Sequence, residues 1–123
     1  MLESVFLLFD FVLIEQVLVN LLDNAQKFSA PASPIQINVH MQNELLFVSV
    51  INQGNKVPDV EMERIFDKFY RASDAQRTIG LGLELSIAKG IVEAHGGTVF
   101  AKPYGDGMEI GFGLPAHPEE QTV

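Results

Sequence analysis

The chain has 123 residues, a formal net charge of −8, 47% apolar and 20% charged residues, and no cysteine. That length suits one compact domain, and the apolar fraction excludes disorder over most of it. The missing cysteines exclude disulfides and thiolate chemistry. The acidic balance excludes a nucleic-acid coat, so any anionic ligand must be met by a few placed cations and backbone N–H groups.

The apolar stretch from Val5 to Ile14, broken by Asp10, is about half as long as a bilayer span and lacks the flanks of a signal peptide. Ser4 to Phe9 reads as a short buried strand. From Leu13 to Phe28 the period changes, and Val17, Leu18, Leu21, Leu22, Ala25 and Phe28 predict an amphipathic helix. Pro31 and Pro34 end it. Ile35, Ile37, Val39 and Met41 then alternate with polar residues, and Asn43-Glu44 predicts a turn into a central strand, Leu45 to Ile51. Asp59 to Phe69 predicts a short helix with Asp59 as its N-cap. Tyr70 to Ile79 reads as a mobile loop. A second long helix is expected from about Gly82 to His95, with Leu83, Ile87, Ile91 and Ala94 at helical spacing and Gly96-Gly97 as its stop. Thr98 to Lys102 and Met108 to Leu114 predict a closing hairpin, with Met108, Ile110, Phe112 and Leu114 on one face. His117 to Val123 reads as a frayed acidic tail. The order predicts a sheet with its helices on one face.

Gln16, Asn20, Asn24 and Lys27 form a polar line along the first helix. It reads either as a solvated face, with an Asp23–Lys27 pair, or as a ligand edge. Asparagine is a poor helix former, and two of them one turn apart point to a compensating use. An amide oxygen suits Mg²⁺, and a lysine one turn on suits phosphate. Gly80-Leu81-Gly82-Leu83 opens the second helix, where backbone N–H groups and the helix dipole favour an anion. Alone, it reads as well as a plain turn. Asn52-Gln53-Gly54 ends the central strand, where a side chain can point into a cavity. The histidines at 40, 95 and 117 have no metal spacing, and His95 is expected to bond the carbonyl end of its helix.

Taken in order, these segments resemble the catalytic ATP-binding domain of sensor histidine kinases, with the nearest likeness to potassium-responsive Kdp-type sensors. Asn20 to Ser29 resembles the family's asparagine box, Ile65 to Arg71 its phenylalanine box, and Gly80 to Leu83 and His95-Gly96-Gly97 complete the series. The resemblance covers about Asp10 to Pro115. It implies a Bergerat-type two-layer α/β sandwich: a mixed, mostly antiparallel sheet of about five strands with about three helices on one face. Residues 1–116 would form one ATP-binding domain, with a lid over about 53–80 and residues 117–123 as a flexible tail.

By position, the resemblance makes Asn24 the principal Mg²⁺ ligand with Asn20 beside it, and Lys27 the phosphate cation. The backbone from Gly80 through Leu81 and Gly82 to Leu83 would cradle the phosphates of ATP. Asn52 and Gly54 would line the adenine site, Phe66 and Phe69 would anchor the lid, and Lys68, Arg71 and Arg77 are the lid cations available to the γ-phosphate. Asn52 stands where the family usually has an acid, so Asn52→Asp is expected to tighten ATP binding. Lys56 and Thr78 replace glycines of the pattern.

The implied reaction moves the γ-phosphate to a histidine on a separate dimerisation domain of the same kinase, for onward transfer to a response regulator. The chain itself is expected to be a soluble, cytoplasmic monomer, any membrane anchor lying in parts outside it. Two other uses of the fold stay open. One is a non-catalytic nucleotide-binding module, favoured by Asn52, Lys56 and Thr78. The other is an anti-sigma-type serine kinase, against which the Phe66 to Arg71 wording speaks.

Overall fold

The computed structural model describes residues 5–6, 10–54, 58–68 and 83–118. Helix α1 spans Phe11–Phe28. Asp10 caps it, its Oδ1 accepting from the Leu13 amide at 3.1 Å. The aspartate that breaks the apolar run in the sequence is therefore the residue that starts the helix, two positions earlier than predicted. Ile14, Val17, Leu21 and Ala25 are buried, with Leu18 and Leu22 packed beside them.

Strands β2 (Gln36–Gln42) and β3 (Leu45–Asn52) form the expected hairpin. Its turn residues Asn43 and Glu44 have φ of 55° and 63°, the mirror-image turn that matches strand twist. Strands β4 (Thr98–Tyr104) and β5 (Gly107–Pro115) form the second hairpin. The sheet order is β2-β3-β5-β4 and every pairing within it is antiparallel, so β3 is internal as predicted. Among the described residues four strands make this sheet. β4 runs two residues past Lys102, through Pro103, because an edge strand tolerates the missing amide.

Of the predicted first strand Val5 and Phe6 are described, and they lie outside the main sheet. β1 (Val5–Phe6) pairs with β6 (His117–Pro118) in a separate two-stranded sheet, which places two residues of the predicted tail in a strand. Residues 7–9 and 119–123 lie outside the described residues, as does the predicted loop from Tyr70 to Ile79.

Helix α2 spans Glu84–Ala94. Its buried face is Leu85, Ala88 and Val92; Ile91 is partly buried, while Ile87 is 47% exposed and Ala94 is exposed. The predicted stripe of Leu83, Ile87, Ile91 and Ala94 is thus rotated from the true one. Fully buried Ala88 sets the face, a small side chain in the core that α2 shares with α1. Gly96, at φ +80°, ends the helix, with bonds from the Gly96 amide to Glu93 and from the Gly97 amide to Val92.

The predicted short helix is a 3₁₀ helix over Asp59–Arg64; Pro58, not Asp59, holds the cap position. Met62, Ile65 and Phe66 from this segment join α1, α2 and the inner face of β5 (Met108, Ile110, Phe112, Leu114) in one core.

Candidate functional site

The polar line of α1 faces the first turn of α2. Gln16 Nε2 donates to Asn20 Oδ1 at 2.7 Å, and Asn20 Nδ2 donates to the main-chain oxygen of Glu84 at 2.9 Å. Two turns further along α1, Lys27 Nζ lies 3.0 Å from Glu84 Oε1. Glu84 therefore meets α1 twice, by its backbone at Asn20 and by its carboxylate at Lys27. Asn24 sits between these two levels. Its Oδ1 is buried and has no hydrogen-bond partner among the described residues. An amide oxygen left so costs about 1–3 kcal/mol, and such an atom in a native fold calls for a use.

The residues fit a hard cation only in part as the sequence suggested. Asn24 offers a free, neutral oxygen of the type Mg²⁺ takes. Asn20, predicted beside it as a ligand, has its oxygen engaged by Gln16 and its NH₂ by Glu84. Asn20 is 4% exposed and ties the two helices together.

Asn52, at the end of β3, is 1% exposed. Its Nδ2 donates to the carbonyls of Phe28 and Gly54, each at 3.3 Å. Both amide hydrogens are thus directed at the end of α1 and the start of the following loop, which leaves the oxygen as the end free to accept. The loop is fixed here: the Ala30 amide donates to Gln53 O at 2.8 Å, and Gly54 at φ +76° leaves 2.9 Å from its Cβ position to Ala30 Cβ. No larger residue fits there without strain. Gly107 supports the same spot, since a Cβ on it would overlap the Asn52 carbonyl.

Phe66 is buried in the core. Lys68 is exposed at the end of the same segment. Leu83 precedes α2 and is half-buried, its carbonyl accepting from the Ile87 amide and the Ser86 hydroxyl. Phe69, Arg71, Arg77, Gly80, Leu81 and Gly82 lie outside the described residues, as do Lys56 and Thr78. The structure thus brings Asn20, Asn24 and Lys27 together along one helix edge, with Asn52 near the far end of that helix.

Sequence reasoning missed Glu84, Asp10 and Gly107. Glu84 has a local signal, an acid opening a helix, but its pairing with Lys27 depends on how α1 and α2 dock. His95 does bond the carbonyl end of its helix, through Nδ1 to Ile91 O at 2.8 Å. Its Nε2 also accepts the Asp10 amide at 3.0 Å, which clamps the start of α1 to the end of α2. Among the described residues no group of three or more His, Cys, Asp or Glu could hold a metal ion, so the cation question rests on the asparagine edge.

Comparison with known proteins agrees with this architecture. Residues 9–118 match the family described as histidine kinase-, DNA gyrase B-, and HSP90-like ATPase. The sensor protein KdpD of Clostridium acetobutylicum is 43% identical over 102 residues, 80% of this chain but 11% of that protein. The chain thus spans about a tenth of that relative's length. Among solved structures, the mycobacterial sensor histidine kinase MprB superposes with a TM-score of 0.85 at 26% identity, covering 94% of this chain and 80% of that one. Histidine kinase ThkA, solved in complex with the response regulator protein TrrA, gives a TM-score of 0.71 at 31% identity, over 86% of this chain and 29% of that one.

Proposed function

The chain belongs to the histidine kinase-, DNA gyrase B- and HSP90-like ATPase family, and we propose that it acts as the catalytic ATP-binding domain of a sensor histidine kinase. The observation that carries the site assignment is the unpartnered, buried Oδ1 of Asn24, set between Asn20 and Lys27 on one edge of α1. Asn24 holds Mg²⁺ when the nucleotide is bound, and the ion supplies charge neutralisation on the phosphates. Lys27 neutralises phosphate, and by the family resemblance the backbone from Gly80 to Leu83 cradles it, Leu83 preceding α2. Asn52 accepts from the adenine amino group through its oxygen, its NH₂ being held by Phe28 and Gly54.

The reaction breaks the bond between the γ-phosphorus and its bridging oxygen and forms a bond to a histidine nitrogen, releasing ADP. The imidazole proton passes to a carboxylate on the acceptor's own domain. Both groups lie on a separate dimerisation domain of the kinase, and the phosphoryl group then moves to a response regulator, the type of protein that ThkA binds. Little covalent work falls to this chain; it positions ATP and balances charge. By the family resemblance, Lys68, Arg71 and Arg77 are the cations available to the γ-phosphate.

Isothermal titration with ATP, with and without Mg²⁺, tests this reading. The wild-type chain should bind more tightly with Mg²⁺, and Asn24→Ala should lose that enhancement, a drop of about tenfold. Mg²⁺-independent binding, or an Asn24→Ala variant with full enhancement, would refute the assignment.

A further inference from the structure

Two features of this site attract anions, the N-terminus of α2 and the ammonium of Lys27, and one side chain already answers both. Glu84 is the first residue of α2, where a carboxylate gains from the helix dipole. The same carboxylate lies 3.0 Å from Lys27 Nζ. Its main chain is pinned by Asn20, so the carboxylate cannot leave the neighbourhood by a shift of the helix start alone. A phosphate approaching Lys27 therefore meets a resident negative charge, and each further phosphate adds to the repulsion.

We propose that Glu84 is a specificity-determining residue of this site, a tethered anion that competes with the outer phosphates of the nucleotide for Lys27. The inference rests on the placement of ATP argued above and concerns what that placement does not explain, namely how the site grades nucleotides by phosphate number. Glu84 leaves adenosine unaffected, weakens ADP and weakens ATP most. The side chains of Lys27 and Glu84 are 25% and 39% exposed, so water screens the contact and the effect is moderate.

The test is calorimetric titration of the wild-type chain, Glu84→Gln and Glu84→Ala with adenosine, ADP and ATP, at low salt with EDTA and again with Mg²⁺. Melting curves of the three proteins check that α2 stays docked. Both variants should bind ATP about fivefold more tightly, the factor for one unit charge a few ångströms away in surroundings close to water. The gain should be smaller for ADP, absent for adenosine, and reduced at high salt. An equal gain for all three ligands would overturn the proposal, since it would mark a general effect on folding. Weaker Mg²⁺–ATP binding in the variants would also overturn it, by making Glu84 a partner of the cation. If the wild-type chain binds none of the three ligands, the nucleotide reading itself fails and this one with it; if wild-type binding is normal and the variants match it, only Glu84 loses its role.

Discussion

Asn52 shows how one buried amide can reverse an expectation built on charge alone. An acid at this position would accept the adenine amino bond with charge assistance, a gain of roughly 1 kcal/mol. But Asn52 is 1% exposed, and its NH₂ holds the Phe28 and Gly54 carbonyls. Asn52→Asp removes both donors and sets a carboxylate oxygen against two carbonyl oxygens out of water. Leaving such groups unsatisfied costs about 2–3 kcal/mol, more than the bond to adenine returns. We therefore expect Asn52→Asp to melt several degrees below wild type at neutral pH, and ATP affinity to stay at or below the wild-type value. Thermal melts paired with titration decide it, and a variant that melts with wild type and binds ATP more tightly would show that the two donor bonds are dispensable.

At the level of elements, what the sequence makes legible is what depends on local periodicity. α1 and the inner face of β5 follow their 3.6- and 2-residue patterns, and the core they form contains the predicted Val17, Leu21, Ala25, Ile110, Phe112 and Leu114. What depends on docking is less readable. β2 alternates as cleanly as β5, and its cross-strand partners Val50 and Val48 share its apolar face, yet Ile37 and Val39 are 53% and 61% exposed because β2 is an edge strand. The α2 stripe was misplaced for a similar reason, since bulky Ile87 outweighs Ala88 in any reading by hydrophobicity. The hairpin joining β2 to β3 carries a local conflict of another kind. Glu44 holds φ 63°, a conformation that disfavours any side chain with a Cβ, and its neighbour Asn43 tolerates the same region better. Glu44→Gly should stabilise the chain by about 0.5–1 kcal/mol, a rise of a few degrees in Tm with nucleotide binding unchanged. A lower Tm would mean that the glutamate side chain contributes more than its backbone strain costs.

Over the whole molecule, the asparagine edge was legible because residues one turn apart on one helix stay together in any fold that keeps the helix. Glu84 was not, because it reaches that edge from 57 residues away in the chain. The same long-range geometry governs turnover. Phosphoryl transfer needs a nucleophile in line with the γ-phosphate, and the histidines of this chain are held elsewhere. His95 spends both ring nitrogens on Ile91 and Asp10, at the opposite end of α2 from Glu84, about 16 Å along an 11-residue helix. His40 stacks on Phe47 from the edge strand β2, and His117 lies in the separate β1–β6 pair. Water is a poor substitute without a residue to orient it, and the Glu84 carboxylate, which reaches this edge of α1, is engaged by Lys27. The chain alone should therefore bind ATP and release phosphate very slowly, and should carry no acid-labile phosphate after incubation with labelled ATP. Addition of a dimerisation domain bearing an acceptor histidine should produce that label on the added domain. Rapid multiple-turnover hydrolysis by the chain alone, or label on one of its own histidines, would place a nucleophile at this site that the fold described here does not provide.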